Sequence, residues 1–400
     1  MRGRRNRQRD HHRGAELTRF DVLVVGTGHA GVAAAIHLRQ AGFAGSIALL
    51  GEETELPYER PPLSKDYLLG TRGREEFRFR TADFWADKGV ALVPGERVER
   101  IDPQARTVAC ASGREIGYSE LVWTAGGRAR RLGNAHVIRT LDDVDRLKEA
   151  LTDARSVLVI GGGWIGLEAA AALTKLGKRV TLAEREPRLL ARCSGHALSD
   201  FLADRHVREG VDVRLGVADI DSSAFDLVVA GIGIEPEGGP LLDAGAEGGN
   251  GVLVDELGRT TLPHIWAAGD VALHRNPFGP DRPIRIESVQ HATDQAACVA
   301  RAIVGAPAPY AAMPWFWSNQ YDLKLQTVGL SHDHDEELVR GDPASGRFSI
   351  LYRRKGKVIA LDCVNMVRDY VQGRALIERG SEVEASLLTD AERPLKSLLE

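Results

Sequence analysis

The feature that most constrains this chain is a strand, a glycine turn and a helix written twice. In the first copy, Phe20–Val25 is a short apolar run, as expected of a strand buried on both faces of a parallel sheet. The turn Gly26-Thr-Gly-His-Ala-Gly31 follows, then Val32–Arg39 with alanine-rich helical spacing. Ser46–Leu50 reads as the next strand and ends at Gly51-Glu52. In the second copy, the strand Ser156–Ile160 leads into Gly161-Gly-Gly-Trp-Ile-Gly166 and the helix Leu167–Leu176. Gly177 can end that helix, and the strand Arg179–Ala183 runs to Glu184.

A lone GxGxxG is weak evidence, but here each copy follows a buried strand and opens a helix. The first glycine (Gly26, Gly161) makes the tight turn. The second (Gly28, Gly163) lets backbone approach a pyrophosphate. The third (Gly31, Gly166) lets helix pack on strand, and the helix N-terminus faces the phosphate charge. Glu52 and Glu184, each at the end of the following strand, would accept hydrogen bonds from a ribose. The plain alternative, solvated strand-end acids, needs two coincidences. Two such sites imply two dinucleotides. The economical pair is an FAD that stays bound and an NADH that exchanges: nicotinamide gives a hydride, and flavin can release the electrons singly.

The 400 residues exceed one compact core and suggest two or three domains. A net charge of -4 argues against a nucleic-acid binder, and no apolar run is long enough to span a bilayer. Cys110, Cys193, Cys298 and Cys363 lie far apart, which excludes a CxxC redox pair and a cysteine-rich zinc module. So few thiols fit a reducing cytoplasm. His332 and His334 sit among acids in Ser331–Glu337 and read as a solvated loop, so no metal is expected. Met1–Arg19 is Arg-rich without a signal's apolar stretch. Asp10, Glu16 and the lack of serine argue against a transit peptide, leaving a disordered basic tail.

Beyond the second copy come the strand Asp226–Ala230, the turn Gly231-Ile-Gly233 and the segment Thr261–Asp270. The Gly/Pro-rich loop Glu235–Asn250 reads as a crossing between domains. From Tyr310 the pattern changes. Leu323–Gly329, Phe348–Tyr352 and Lys357–Leu361 are strand-like and Val364–Arg379 is helical, as in a separate C-terminal domain.

Four longer motifs carry a resemblance. They are Leu56-Pro-Tyr-Glu-Arg-Pro-Pro-Leu-Ser-Lys65, Thr261-Leu-Pro-His-Ile-Trp-Ala-Ala-Gly-Asp270, Ile286-Glu-Ser-Val-Gln290 and Pro314-Trp-Phe-Trp-Ser-Asn-Gln-Tyr-Asp-Leu-Lys324. With them the chain resembles the FAD-dependent pyridine nucleotide reductases. It is most similar to the ferredoxin reductases that serve aromatic-ring dioxygenases and related bacterial monooxygenases. The resemblance spans Phe20 to Glu400. It implies an α/β fold of two Rossmann-like domains plus a C-terminal α+β domain. The FAD domain would be discontinuous, over 20–128 and 246–310, after a tail over 1–19. The NAD domain would cover 129–245 and the C-terminal domain 311–400. The implied activity takes hydride from NADH onto FAD and passes single electrons to a small 2Fe–2S ferredoxin feeding a terminal oxygenase.

The resemblance also implies roles. Ala30, in the FAD-binding turn with Gly26, Gly28 and Gly31, and Glu52 would hold the adenosine half of FAD, and Val98 would meet the adenine through its backbone. Lys65 would lie beside the isoalloxazine, Arg139 would touch the flavin, Asp270 the ribitol chain and Val289 the ring. Gly161, Gly163, Ile165 and Gly166 would form the NAD turn. Glu168 would face the nicotinamide carboxamide, Glu184 would hold the ribose and Gly233 would line the nicotinamide channel. Trp317 would stack near the flavin edge, making Lys65, Glu168 and Trp317 the catalytic set. The bland readings are a helix-start surface lysine for Lys65, a surface ion-pair partner for Arg139 and core for Val289. Only one of Trp315 and Trp317 is expected to point at the flavin.

Two features depart from the family pattern. The stretch between Leu215 and Asp226 is short, and Arg185 puts a guanidinium where a 2′-phosphate could be met. Disulfide reductases of the superfamily need CxxxxC after the first ribose acid, and its oxidases and peroxidases need one reactive cysteine there. Neither exists here. A non-enzymatic flavoprotein, like the apoptosis-inducing relatives, is the alternative. The net charge and the Trp-Phe-Trp segment favour the reductase.

Overall fold

The computed structural model describes residues 17–399. The expected tail therefore lies mostly outside the described residues. Thr18 and Arg19 do not belong to it: the first strand runs Thr18–Val25 because it pairs with Glu115–Trp123 from Thr18↔Ile116 onward.

The first sheet has seven strands. Its parallel part runs, in spatial order, Val90–Pro94, Ile47–Gly51, Thr18–Val25 and Glu115–Trp123. Beyond Glu115–Trp123 the neighbour changes along the strand. Thr107–Cys110 pairs antiparallel with its start, and Ile265–Ala267 pairs parallel with its end. The late segment around 265 thus returns to complete the first domain. The helix Val289–Ile303 joins the same core, with Ala292, Ala296 and Val299 buried among Ala33, Ala34 and Leu38.

The second sheet repeats the pattern with four parallel strands: Asp212–Leu215, Arg179–Glu184, Ser156–Ile160 and Leu227–Ala230. Both helices begin inside their glycine turns, His29–Gln40 and Trp164–Lys175, earlier than the alanine-rich runs suggest. Gly28 and Gly163 are extended N-caps, so the residue after each can already be helical. The short stretch after Leu215 holds one 3₁₀ turn, Ser222–Ala224.

The chain leaves and re-enters the first domain on a two-stranded antiparallel ribbon, Gly127–Ala129 with Ile234–Pro236. The return crossing therefore precedes the expected boundary at 245. The helix Gly239–Asp243 puts Leu241 into the first-domain core beside Val252 and Val271, and Ala246 follows it.

The C-terminal domain is a five-stranded antiparallel sheet ordered Trp315–Gln320, Leu323–Gly329, Lys357–Val364, Arg347–Arg354 and Glu336–Asp342, with the helix Val367–Glu378 packed on it. The loop expected over Ser331–Glu337 is partly strand. His334 is half-buried against Glu337 at 3.0 Å, rather than solvated. Glu337 in turn accepts from the backbone N–H groups of His196 (2.9 Å) and Ala197 (3.1 Å), capping the helix His196–Arg208 of the second domain. Ser194 and Tyr352 both donate to buried Asp362 at 2.6 Å, a second tie across the same junction. These contacts seat the third domain on the second, which positions Trp315–Gln320 over the second glycine helix.

Candidate active site

The two turns are sterically alike. Gly26 has φ +110, and a Cβ there would sit 2.3 Å from the Thr124 carbonyl oxygen. A Cβ on Gly31 would fall 1.8 Å from the Gly26 oxygen. On Gly166 it would fall 1.9 Å from the Gly161 oxygen. Those glycines are required by the close strand–helix approach. Gly28 faces open space, and the helix it caps has no side-chain cap and no acid in its first turn. The helix capped by Gly163 is the same. Each turn thus presents unsatisfied N–H groups at a positive helix end, which is what a pyrophosphate needs.

Ala30 is buried behind the first turn, and Glu52 stands mostly exposed at its strand end, 3.4 Å from Arg128. Val98 buries its side chain in the cluster of Val93 and Val108. Asp270 sits in the turn Gly269–Val271 with Arg139 3.7 Å away, and burial raises its carboxyl above the usual range. Burial lowers Arg139, whose backbone oxygen accepts from Arg60 at 2.5 Å. Arg60 also pairs with Glu53 at 2.5 Å and bonds Tyr58 at 2.9 Å. Arg139 is therefore no surface ion pair but part of a cluster that joins residues 53–60, 139 and 270. His29, half-buried in the turn, is held near 4 by burial and the neighbouring Arg60 and Arg139, so it is neutral at physiological pH. Val289 is half-buried at the start of its helix, not core.

Lys65 follows the 3₁₀ turn Pro61–Ser64 and reaches Glu168 on the second glycine helix, Nζ to Oε2 at 2.5 Å. Its side chain is 16% exposed, which removes the surface-lysine reading. Glu168 is buried. Its Oε2 also accepts from Ser64 Oγ at 2.5 Å, and its Oε1 from Ser318 Oγ at 2.7 Å. One carboxylate thus ties all three domains together.

In the second turn, Glu184 accepts from Gly162 N–H at 2.5 Å and from Glu186 N–H at 2.8 Å, while Ile165 is 42% exposed at the mouth. Gly233, φ +91, lies by Arg192. Trp315 and Trp317 share one strand face with ring centroids 5.6 Å apart; Trp315 packs into the C-terminal core and against Tyr370, while Trp317 joins no core cluster. Phe316 turns to the other face and packs against Trp164 at 5.2 Å. Sequence reasoning missed Ser64, Ser318 and Arg60. All three stand inside the quoted motifs, but nothing in their type marks them.

Two dinucleotide-type glycine turns, domains tied by Lys65 and the buried Glu168 carboxylate, and four free cysteines with no disulfide define a two-nucleotide oxidoreductase that works without a dithiol. Residues 20–296 match the pyridine nucleotide-disulphide oxidoreductase family and 315–399 the reductase C-terminal domain, and the chain belongs to that family. It is 51% identical over 407 aligned positions to a ferredoxin–NAD(P)(+) reductase of Sphingomonas sp., covering 96% of this chain and 98% of the relative. It is also 51% identical to the 5,5′-dehydrodivanillate O-demethylase ferredoxin reductase subunit of Sphingobium sp., covering 96% and 99%. Its fold superimposes on the reductase of the covalent putidaredoxin reductase–putidaredoxin complex with a TM-score of 0.89 at 36% identity, covering 96% of this chain and 98% of that one.

Proposed function

We propose that this chain is an FAD-dependent NADH:ferredoxin reductase that supplies electrons, through a small 2Fe–2S ferredoxin, to a terminal oxygenase of the aromatic-ring type. The observation that carries the reading is the Lys65–Glu168 pair, its carboxylate buried, joining the domains of the two glycine turns in a chain with no dithiol. The names of the relatives support the ferredoxin, and the solved putidaredoxin reductase–putidaredoxin complex supports a docked partner.

A bound flavin accepts two electrons as hydride and gives them up singly. The chain's residues do the rest. The open cradle at Gly28 holds the FAD pyrophosphate against a helix end, with Glu52 on the ribose and the Val98 backbone at the adenine. Asp270 and Arg139, held by Arg60, take the ribitol and flavin polar groups. Lys65 sets a positive charge where negative charge accumulates on reduction. Val289 and Trp317 wall the ring. On the other side Gly163 receives the NADH phosphates, Gly233 and Ile165 line the channel, and Glu184 holds the ribose. Glu168, with three donors already on it, keeps lone-pair capacity for the amide of the nicotinamide.

Among the described residues no helix is long and apolar enough to cross a membrane. With its sparse thiols, we place the protein in the cytoplasm. Purified protein should be yellow, bleach anaerobically with NADH, and reduce cytochrome c much faster when a 2Fe–2S ferredoxin is added. Ferredoxin-independent turnover would count against the reading.

A further inference from the structure

Ser318 does not act on Glu168 alone. Ser318 and Gln320 lie on the same face of the strand Trp315–Gln320, and behind them stands His206 of the helix His196–Arg208, fully buried. The bonds run in a line. Tyr321 Oη lies 3.0 Å from His206 Nδ1, and His206 Nε2 lies 3.0 Å from Gln320 Oε1. Gln320 Nε2 lies 3.1 Å from Ser318 Oγ, and Ser318 Oγ lies 2.7 Å from Glu168 Oε1.

A proton count gives this line a direction. The Glu168 carboxylate, paired with Lys65, has no proton to give, so the single hydroxyl proton of Ser318 is committed to it. Ser318 can then only accept, which turns the NH₂ of Gln320 toward it and the Gln320 oxygen toward His206. His206 must then carry its proton on Nε2, leaving Nδ1 to accept from Tyr321. Burial pushes the His206 pKa down, consistent with the neutral ring that this tautomer requires. Every donor in the line points toward Glu168.

We propose that Ser318, Gln320 and His206 are positioning residues for NADH: their one-way hydrogen-bond line fixes the Glu168 carboxylate for the nicotinamide. The proposal rests on the reductase reading above. It assigns a task to the C-terminal domain that its packing does not. The domain supplies the last donor to a carboxylate carried by the second domain, which in turn holds a lysine of the first.

A cavity of about 10 Å³, lined by Leu202, Ser318, Gln320, Leu323, Leu325 and Val364, borders the line and has room for about one water-sized group. It offers a clean test, because the extra methyl of Thr or Val at 318 has somewhere to go. Ser318→Thr and Ser318→Val are nearly isosteric and differ in the hydroxyl. Three quantities would be measured on flavin-loaded protein: NAD⁺ affinity of the oxidised form by flavin absorbance, flavin reduction by NADH, and reoxidation of dithionite-reduced enzyme by ferredoxin. Ser318→Thr should stay within about twofold of wild type. Ser318→Val should lose about tenfold in NAD⁺ affinity or NADH reduction, with flavin content and ferredoxin reoxidation unchanged. Equal behaviour of the two variants overturns the proposal, as does a loss that falls equally on both half-reactions. If Ser318→Val does not retain flavin, Gln320→Met carries the test, since it removes the donor to Ser318 but leaves the hydroxyl; wild-type NAD⁺ affinity in that variant overturns the proposal. A wild-type enzyme that NADH does not bleach would instead sink the reductase reading.

Discussion

The two glycine turns are nearly superimposable in their steric demands, yet the sites they open are assembled differently. The first is walled by groups remote in sequence: Arg60, Arg139, Asp270 and the helix Val289–Ile303 close on the turn Gly26–Gly31. The second is built mainly on one βαβ unit, from Gly161 to Glu184, with Gly231 closing on its third glycine and Phe316 on Trp164, and with Ile165 and Arg185 exposed at its mouth. A site closed by several distant segments must open them to release its occupant, which suits a resident cofactor. A site on one unit with a free edge suits a substrate that comes and goes. The two sites are tied at Glu168, which takes Lys65 and Ser64 from the first domain and Ser318 from the third.

The comparison breaks most visibly at the third glycines. Gly31→Ala should give colourless or poorly folded protein, because its Cβ would lie 1.8 Å from a backbone oxygen of the resident-cofactor turn. Gly166→Ala meets an equal clash, 1.9 Å, but should keep full flavin content while NADH reduction falls about 100-fold or more, as displacements of about 1 Å commonly cost. Flavin absorbance and stopped-flow bleaching separate the two. Flavin loss in both variants would erase the distinction.

The walls come next. Asp270→Ala should lose flavin with the circular dichroism spectrum intact. Glu168→Ala should retain flavin and slow NADH reduction by roughly 10- to 100-fold, the worth of a charged hydrogen bond. A Glu168 variant without flavin would mean that the carboxylate serves the first site rather than the second.

A smaller effect is the choice of nicotinamide. Glu184 sets a carboxylate where NADPH carries a phosphate. Like charges about 4 Å apart cost roughly 1 to 4 kcal/mol, or about one to three decades in kcat/KM. Arg185, 78% exposed and, among the described residues, paired only with Glu186, can offset part of this. Glu184→Ala should narrow the ratio; equal kcat/KM values in the wild type would remove Glu184 as the selector. The smallest effect expected is that of salt. Turnover with an acidic ferredoxin should fall several-fold as ionic strength rises, while NADH bleaching of the flavin changes little.

Much of the architecture was legible because it is periodic. Both glycine turns, their flanking strands and the strand Leu323–Gly329 follow directly from apolar runs and turn residues. The edge strand Glu336–Asp342 did not, and its reason is visible: Val339 faces outward while Arg340 is buried against Asp369 at 2.9 Å. A buried, paired charge inverts the alternation that marks a strand. The return crossing falls at the start of the Gly/Pro-rich stretch read as the crossing, and the expected boundary at 245 lies beyond it because Leu241 looks like loop until its burial against the first domain is seen. Within the site, residue types and motifs named Lys65, Glu168 and Asp270. The line from Tyr321 to Glu168 joins residues that no spacing rule connects, so only the fold brings it together.

The central claim is that NADH held at the second turn gives hydride to a flavin held at the first, with Lys65 and Glu168 placing the two rings, and that the electrons leave without a thiol. Sequential-mixing stopped flow under anaerobic conditions tests it directly, with NADH bleaching the flavin first and oxidised 2Fe–2S ferredoxin added second. The account predicts fast bleaching by one equivalent of NADH, then flavin recovery with two ferredoxins reduced per NADH consumed. Prereduced enzyme that leaves every iron–sulfur protein oxidised, yet reduces oxygen or a quinone rapidly, would contradict it and mark the chain as an oxidase or quinone reductase.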